Sequence, residues 1–197
     1  MVTPPLLYFI RHGQTDWNAE HRLQGQRDNE LNEVGRGQAN ANGEALARLI
    51  GDGAGFDFVA SPLSRTRETM ERVRNSMGLP ATGYSTDKRL VEINFGDWQG
   101  FTYPELEARY PNFSKRRDSA KWTIVPPGDG AESYVMLTAR VRPWLENLKG
   151  PTVCVAHGGI ARAIFHLAGG MRDAEAAQLL IPQDQILRVQ DGRLEWL

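Results

Sequence analysis

Leu6-Leu7-Tyr8-Phe9-Ile10-Arg11-His12-Gly13 sets an uninterrupted apolar run directly against a polar strand end. The arrangement recurs twice. Phe56-Asp57-Phe58-Val59-Ala60 runs into Ser61-Pro62-Leu63-Ser64-Arg65, and Thr152-Val153-Cys154-Val155-Ala156 runs into His157-Gly158-Gly159. Continuous rather than alternating apolarity suits strands covered on both faces, which is the habit of parallel sheets in α/β folds.

Helical segments separate these strands. Glu33 to Ile50 carries Val34, Leu46, Leu49 and Ile50 and stops at Gly51, and Arg65 to Met77 places Met70, Val73 and Met77 on one face before Gly78. Ser133 to Lys149 reads as a helix through Val135, Met136, Ala139, Leu145 and Leu148, with Pro143 expected to bend or split it. Ile160 to Ala168 is a shorter apolar helix ahead of Gly169-Gly170. At the C-terminus, Ile186 to Val189 and Arg193 to Trp196 flank Asp191-Gly192, a hairpin signal. These elements predict a three-layer α/β/α sandwich with a mostly parallel central sheet and an antiparallel C-terminal edge. The stretch from Phe101 to Gly130, interrupted by Pro104, Pro111, Pro126 and Pro127, is expected to form a helical or looped cap beside the site.

A chain of 197 residues, 41% hydrophobic and 24% charged, can bury one sizeable core, and a single domain over 1–197 is expected. The net charge of −1 gives no reason to expect nucleic acid or an anionic membrane as partner. The N-terminus has neither a basic leader nor a long apolar stretch, so the protein is expected to be soluble, unprocessed and cytoplasmic. The single cysteine, Cys154, lies within a strand-like run and reads as a small buried hydrophobe.

In open α/β sheets ligands bind beyond the carboxyl ends of the strands, so the three polar strand ends can meet in one crevice. That crevice would hold Arg11, His12, Arg65 and His157, with the N-termini of the helices after the second and third strands adding backbone N–H groups. Two guanidiniums, two imidazoles and helix N-termini suit a phosphate. Phosphoryl transfer needs an in-line nucleophile and positive charge around the equatorial oxygens. A neutral imidazole attacks through one ring nitrogen when the other N–H is held by an acceptor such as a backbone carbonyl, and nearby arginines disfavour its protonation. A leaving alkoxide needs a proton. Glu92, between apolar neighbours in Leu90-Val91-Glu92-Ile93-Asn94-Phe95-Gly96-Asp97-Trp98, is the preferred donor because desolvation would raise its pKa; Asp97 is the weaker candidate.

The run Arg11-His12-Gly13-Gln14-Thr15-Asp16-Trp17-Asn18, continuing through Arg22-Leu23-Gln24-Gly25, Asp28, Leu31 and Gly35, resembles the N-terminal signature of the histidine phosphatase superfamily, in its phosphoglycerate mutase-like branch. Ser61-Pro62-Leu63-Ser64-Arg65-Thr66, Glu92 to Gly100, Gly130-Ala131-Glu132-Ser133 and His157-Gly158-Gly159 resemble the later blocks of that family in order, so the resemblance spans nearly the whole chain. It implies His12 as phosphohistidine, Arg11, Arg65 and His157 as ligands of the phosphoryl group, and Glu92 as proton donor and acceptor. Asn18, Gln24, Gly25 and Gly158 would border the phosphate and substrate. It also implies no metal and no cofactor, in keeping with the lack of a His-Glu-x-x-His spacing among the four histidines.

Mutases of the family are usually longer, and its phosphatases often carry Gln-Gly where Gln24-Gly25 stands, which together favour water as acceptor. Asp129-Gly130-Ala131 departs from the Pro-Gly-Gly-Glu-Ser-like block, and Gln14 stands where glutamate is usual. The expected activity is a metal-independent phosphomonoesterase acting on a small phosphorylated metabolite, as a monomer or a homodimer. A phosphoglycerate mutase-type transferase is the alternative, and a non-catalytic phospholigand-binding module a more distant one.

Several features carry plainer readings. His21 and His166 lack catalytic context and read as surface or packing residues. Lys115-Arg116-Arg117 with Lys121 could grip an acidic substrate, but a charge run is usually a solvated face. The five tryptophans read as core or pocket walls. A Cys-based phosphatase would need an arginine six positions after Cys154, where Ile160 stands.

Overall fold

A computed structural model describes residues 1–197. In chain order its elements are β1 (Leu7–Arg11), α1 (Asp16–Ala19), α2 (Glu33–Ile50), β2 (Asp57–Ala60), α3 (Ser64–Ser76), β3 (Ser85–Thr86), α4 (Tyr103–Arg109), α5 (Phe113–Ala120), α6 (Tyr134–Glu146), β4 (Thr152–Ala156), α7 (Gly158–Leu167), α8 (Asp173–Gln178), β5 (Ile186–Gln190) and β6 (Arg193–Trp196). The six strands form one sheet in the order β3-β2-β4-β1-β5-β6. β1, β2, β3 and β4 are mutually parallel, whereas β5 runs antiparallel to β1 and β6 antiparallel to β5.

The three apolar runs form the centre of this sheet. Leu7, Phe9 and Cys154 are buried on the face covered by α6, α7 and α8, and Tyr8, Ile10, Val153 and Val155 on the face covered by α2 and α3. Both faces are covered, as the unbroken apolar runs require. The C-terminal hairpin turns at Asp191 and Gly192, with φ of 50° and 75° respectively, the paired positive angles of a type I′ turn.

Two expected helix faces differ from those observed. In α2, Val34 and Leu49 are exposed, and the buried face is Gly35, Ala39, Asn42, Gly43 and Leu46. Small residues let α2 lie tightly on α3; a Cβ at Gly43 would come within 2.6 Å of the Val73 carbonyl oxygen. In α6, Val135, Met136 and Ala139 are exposed while Tyr134, Leu137, Val141, Trp144 and Leu145 are buried. Pro143 lies inside α6 without splitting it, but the helix ends at Glu146, short of Lys149.

The cap expected over Phe101 to Gly130 contains α4 and α5. Thr102 begins α4 with a reciprocal capping box to Glu105, which satisfies two backbone donors. Leu106 and Phe113 pack on Trp98 beneath the cap and fix it to the body, with the Trp98 and Phe113 rings edge-to-face at 4.8 Å. No helix is long and apolar enough to cross a membrane.

Candidate active site

Strand register places the first three site residues. β1 pairs with β4 so that Arg11 faces Ala156, and β2 pairs with β4 so that Ala60 faces Val155. The ladder continues one step past the strands, His12 N–H donating to Ala156 O at 2.9 Å and Ser61 N–H to Val155 O at 3.0 Å. His12, Ser61 and His157 therefore emerge side by side at the carboxyl edge, the two imidazoles 5.2 Å apart and steeply inclined. α3 and α7 start immediately beyond β2 and β4.

Hydrogen bonding fixes both rings. His12 Nδ1 lies 2.7 Å from the Gly13 carbonyl oxygen, so Nδ1 carries the hydrogen and donates it. Nε2 then holds the lone pair, which accepts from Arg65 Nε at 3.2 Å. Burial, with the cations of Arg65 and Arg11 beside it, holds His12 well below the usual histidine range. His157 is lowered in the same direction by burial and by Arg65, His12, Arg11 and Arg140. Its Nε2 lies 2.8 Å from Ser61 Oγ, and its Nδ1 is buried without a partner.

Arg65, 1% exposed, also donates from Nη1 to Arg27 O at 2.7 Å and from Nη2 to Gly25 O at 2.8 Å, one hydrogen of each. Arg11 donates from Nη1 to Ile181 O at 2.6 Å and leaves Nε buried without a partner. Burial lowers both guanidiniums to about 10, so both are cations at neutral pH. Arg11 Nε and His157 Nδ1 are thus buried polar nitrogens with no protein partner, and the Arg11 N–H is a donor that an anion's oxygen can satisfy.

Glu92 reaches the same cavity from an irregular segment. Its carboxylate accepts from Gly159 N–H, at 3.1 and 3.0 Å to its two oxygens, and from Ile93 N–H at 2.9 Å. A Cβ at Gly159 would lie 2.2 Å from Glu92 Oε1, so the second glycine after His157 makes room for this carboxylate rather than for a ligand. Asp97 is exposed and does not line the cavity.

The cavity, about 180 Å³, is bordered by Arg11, His12, Asn18, Gln24, Gly25, Arg65, Glu92 and Gly158. These are the sequence-derived candidates apart from His157, which is fully buried beside His12 and does not border the cavity. Asn18 Oδ1 accepts from Thr15 N–H, and Gln24 Nε2 donates to Thr15 Oγ1 at 2.7 Å, so Thr15 aligns both.

Tyr103 from the cap, Tyr134 from α6 and Arg162 from α7, which the sequence did not single out, also line the cavity, together with Arg22 of the N-terminal signature and Arg117 of the charge run. The charge run divides, since Lys115 and Arg116 are exposed while Arg117 is buried and lines the cavity with Lys121. The helical period of α5 supplies the signal: Arg117 follows the buried Phe113 by four positions. Burial, with Arg117 and Arg162 nearby, lowers Lys121 to about 8. Gln183, also unforeseen, donates to His12 O at 2.9 Å and to Asn18 Oδ1 at 3.2 Å. No local pattern marks it, because it lies in the loop before β5, 171 positions from His12.

The family model described as histidine phosphatase superfamily (branch 1) matches residues 7–194. A glucosyl-3-phosphoglycerate phosphatase of Mycobacterium tuberculosis is 35% identical, over 88% of this chain and 84% of that one. A 2,3-bisphosphoglycerate-dependent phosphoglycerate mutase of Methylobacterium radiotolerans is 33% identical, over 89% and 84%. Among solved structures, the mycobacterial glucosyl-3-phosphoglycerate phosphatase in complex with VO3 superposes with a TM-score of 0.79 at 31% identity, covering 98% of this chain and 96% of that one. With the family model spanning β1 to β6 and the fold shared at this identity, the chain belongs to the histidine phosphatase superfamily.

Proposed function

We propose that this chain is a phosphoric monoester hydrolase that needs no metal and works through a phosphohistidine on His12. The observation that carries the reading is the fixed tautomer of His12, with Nδ1–H tied to Gly13 O and the Nε2 lone pair beside Arg65. In the first step Nε2 attacks phosphorus, the bond from phosphorus to the ester oxygen breaks, and the Glu92 carboxyl gives its proton to the departing alkoxide. In the second, Glu92 takes a proton from water as the water oxygen attacks, the P–N bond breaks, and inorganic phosphate leaves. Arg11 and Arg65 bind the equatorial oxygens and supply the charge that a metal would otherwise bring, and the neutral His157 adds a hydrogen bond from Nδ1 as an N–H.

The substrate is a small phosphorylated metabolite with a further anionic group. Arg117, Lys121 and Arg162 line the cavity, and Glu92 is its only carboxylate. The mycobacterial relative makes glucosyl-3-phosphoglycerate the first ester to assay. A mutase is the second reading, favoured by the methylobacterial relative.

Phosphate release from aryl and sugar phosphates, with and without chelator, tests the reading. Wild type should turn over in chelator and form an acid-labile phosphoprotein, while His12→Ala should do neither. Full hydrolysis by His12→Ala overturns it. Product formation that depends on a bisphosphate primer, with little phosphate released, supports the mutase.

A further inference from the structure

Glu92 lies outside every sheet ladder, in the segment between Leu90 and Gly96, yet proton transfer demands a well-placed carboxyl. Its backbone is held instead by one arginine. Arg140, on α6, donates from Nη1 to Arg89 O at 2.7 Å and Val91 O at 2.9 Å, and from Nη2 to Glu92 O at 3.4 Å. The guanidinium is itself clamped by Glu132, with Nε to Oε1 at 2.9 Å and Nη2 to Oε2 at 2.8 Å. This fork-on-fork pairing fixes the plane of the guanidinium and hence the direction of its other donors.

The same carboxylate grips the far side of the segment. Glu132 Oε2 accepts from Asn94 N–H at 3.0 Å, and Glu132 N–H donates to Asn94 O at 2.9 Å. Glu92 is thus bracketed by Arg89 and Val91 before it and Asn94 after it, all tied to one half-buried ion pair. Gln26 Nε2 adds a bond to Glu92 O at 3.0 Å. Neither Arg140 nor Glu132 borders the catalytic cavity. A pair that served stability alone would have no reason to direct three donors to carbonyls flanking the one carboxylate in that cavity.

We infer that Arg140, oriented by Glu132, is a positioning residue for Glu92: it sets the backbone that carries the carboxyl to the leaving-group oxygen. The inference rests on the reading of Glu92 as proton donor. It predicts a leaving-group signature. An alkyl phosphate needs its departing oxygen protonated, whereas p-nitrophenyl phosphate expels a stabilised phenolate and needs little help.

The experiment measures kcat/KM, which reports the steps up to phosphorylation of His12, for p-nitrophenyl phosphate and for glycerol 3-phosphate. Glu92→Gln serves as the reference variant beside Arg140→Gln, Arg140→Lys and Glu132→Gln. Arg140→Lys keeps a cation opposite Glu132, so it remains informative if Arg140→Gln does not fold. The expected result is a loss of about 10²-fold on glycerol 3-phosphate in Arg140→Lys and Glu132→Gln, with p-nitrophenyl phosphate changed only a few-fold, matching the pattern of Glu92→Gln. If Glu92→Gln discriminates between the two esters while the Arg140 and Glu132 variants lose both equally, or neither, the positioning role is overturned and Glu92 keeps its own. If Glu92→Gln itself shows no discrimination, the proton-donor reading fails and the role of Arg140 falls with it.

Discussion

Arg65 donates from Nε to Nε2 of His12 at 3.2 Å, so the nitrogen assigned to attack phosphorus is already in contact with a buried cation. An incoming phosphoryl group must take over that guanidinium. Arg65 remains aligned because the carbonyl oxygens of Gly25 and Arg27 hold its two other nitrogens. Lysine has the charge but not the fork.

Arg65→Lys should therefore lower kcat/KM by about 10²-fold on every phosphate ester, alkyl or aryl, since the forked N–H donors lost face the phosphoryl group rather than the leaving group. Steady-state kinetics on two esters of different leaving group check this. Unchanged activity would show that a point charge suffices at this position.

The two buried imidazoles make stability depend on pH. Their folded-state pKa values lie well below the usual range, chiefly through burial, whereas the unfolded chain titrates near about 6.5. Below that value the unfolded state binds more protons than the folded one, so stability is full above it and declines as pH falls. The slope should approach about 1.4 kcal/mol per pH unit for each histidine. Urea unfolding of wild type and His157→Asn at pH 7, 6 and 5 should show the gap between them narrowing with acidity. Parallel pH profiles would contradict neutral burial of His157.

Lys121, lowered to about 8, is a cation below that pH and neutral above it. For an ester with a second anionic group, the wild-type KM should rise as pH passes about 8, while Lys121→Met should start about 10-fold higher, some 1.4 kcal/mol weaker, and stay flat. p-Nitrophenyl phosphate, lacking the second anion, should not distinguish the two proteins. Equal KM profiles on the doubly anionic ester would remove Lys121 from substrate binding.

The apolar runs ending at His12, Ser61 and His157 were legible as covered parallel strands because nothing but burial on both faces tolerates such sequences. The hairpin at Asp191-Gly192 was legible because few turns accept two consecutive positive φ angles. The long helices α2, α3, α6 and α7 were also legible, and so was the buried face of α3 at Met70, Val73 and Met77, but not the orientation of α2 and α6. Val34, Leu49, Val135 and Met136 mark an apolar side, yet they face solvent. In α2 close packing selected Gly35, Ala39 and Gly43 instead, and a hydrophobicity pattern gives small residues no weight.

At the site, the residues bound to strand ends and helix starts, namely Arg11, His12, Arg65 and His157, could be named from their local setting. What the sequence determined by itself is therefore five of the six strands, all but β3, and the reactive groups at the ends of three of them, since both depend on neighbours a few positions away. Tertiary structure alone decided that β4 lies between β1 and β2, which brings His157 next to His12. It likewise decided that Gln183 spans His12 and Asn18, and that Arg140 holds the backbone of Glu92. Each of these depends on contacts between segments distant in the chain, which helical and strand periodicity do not encode.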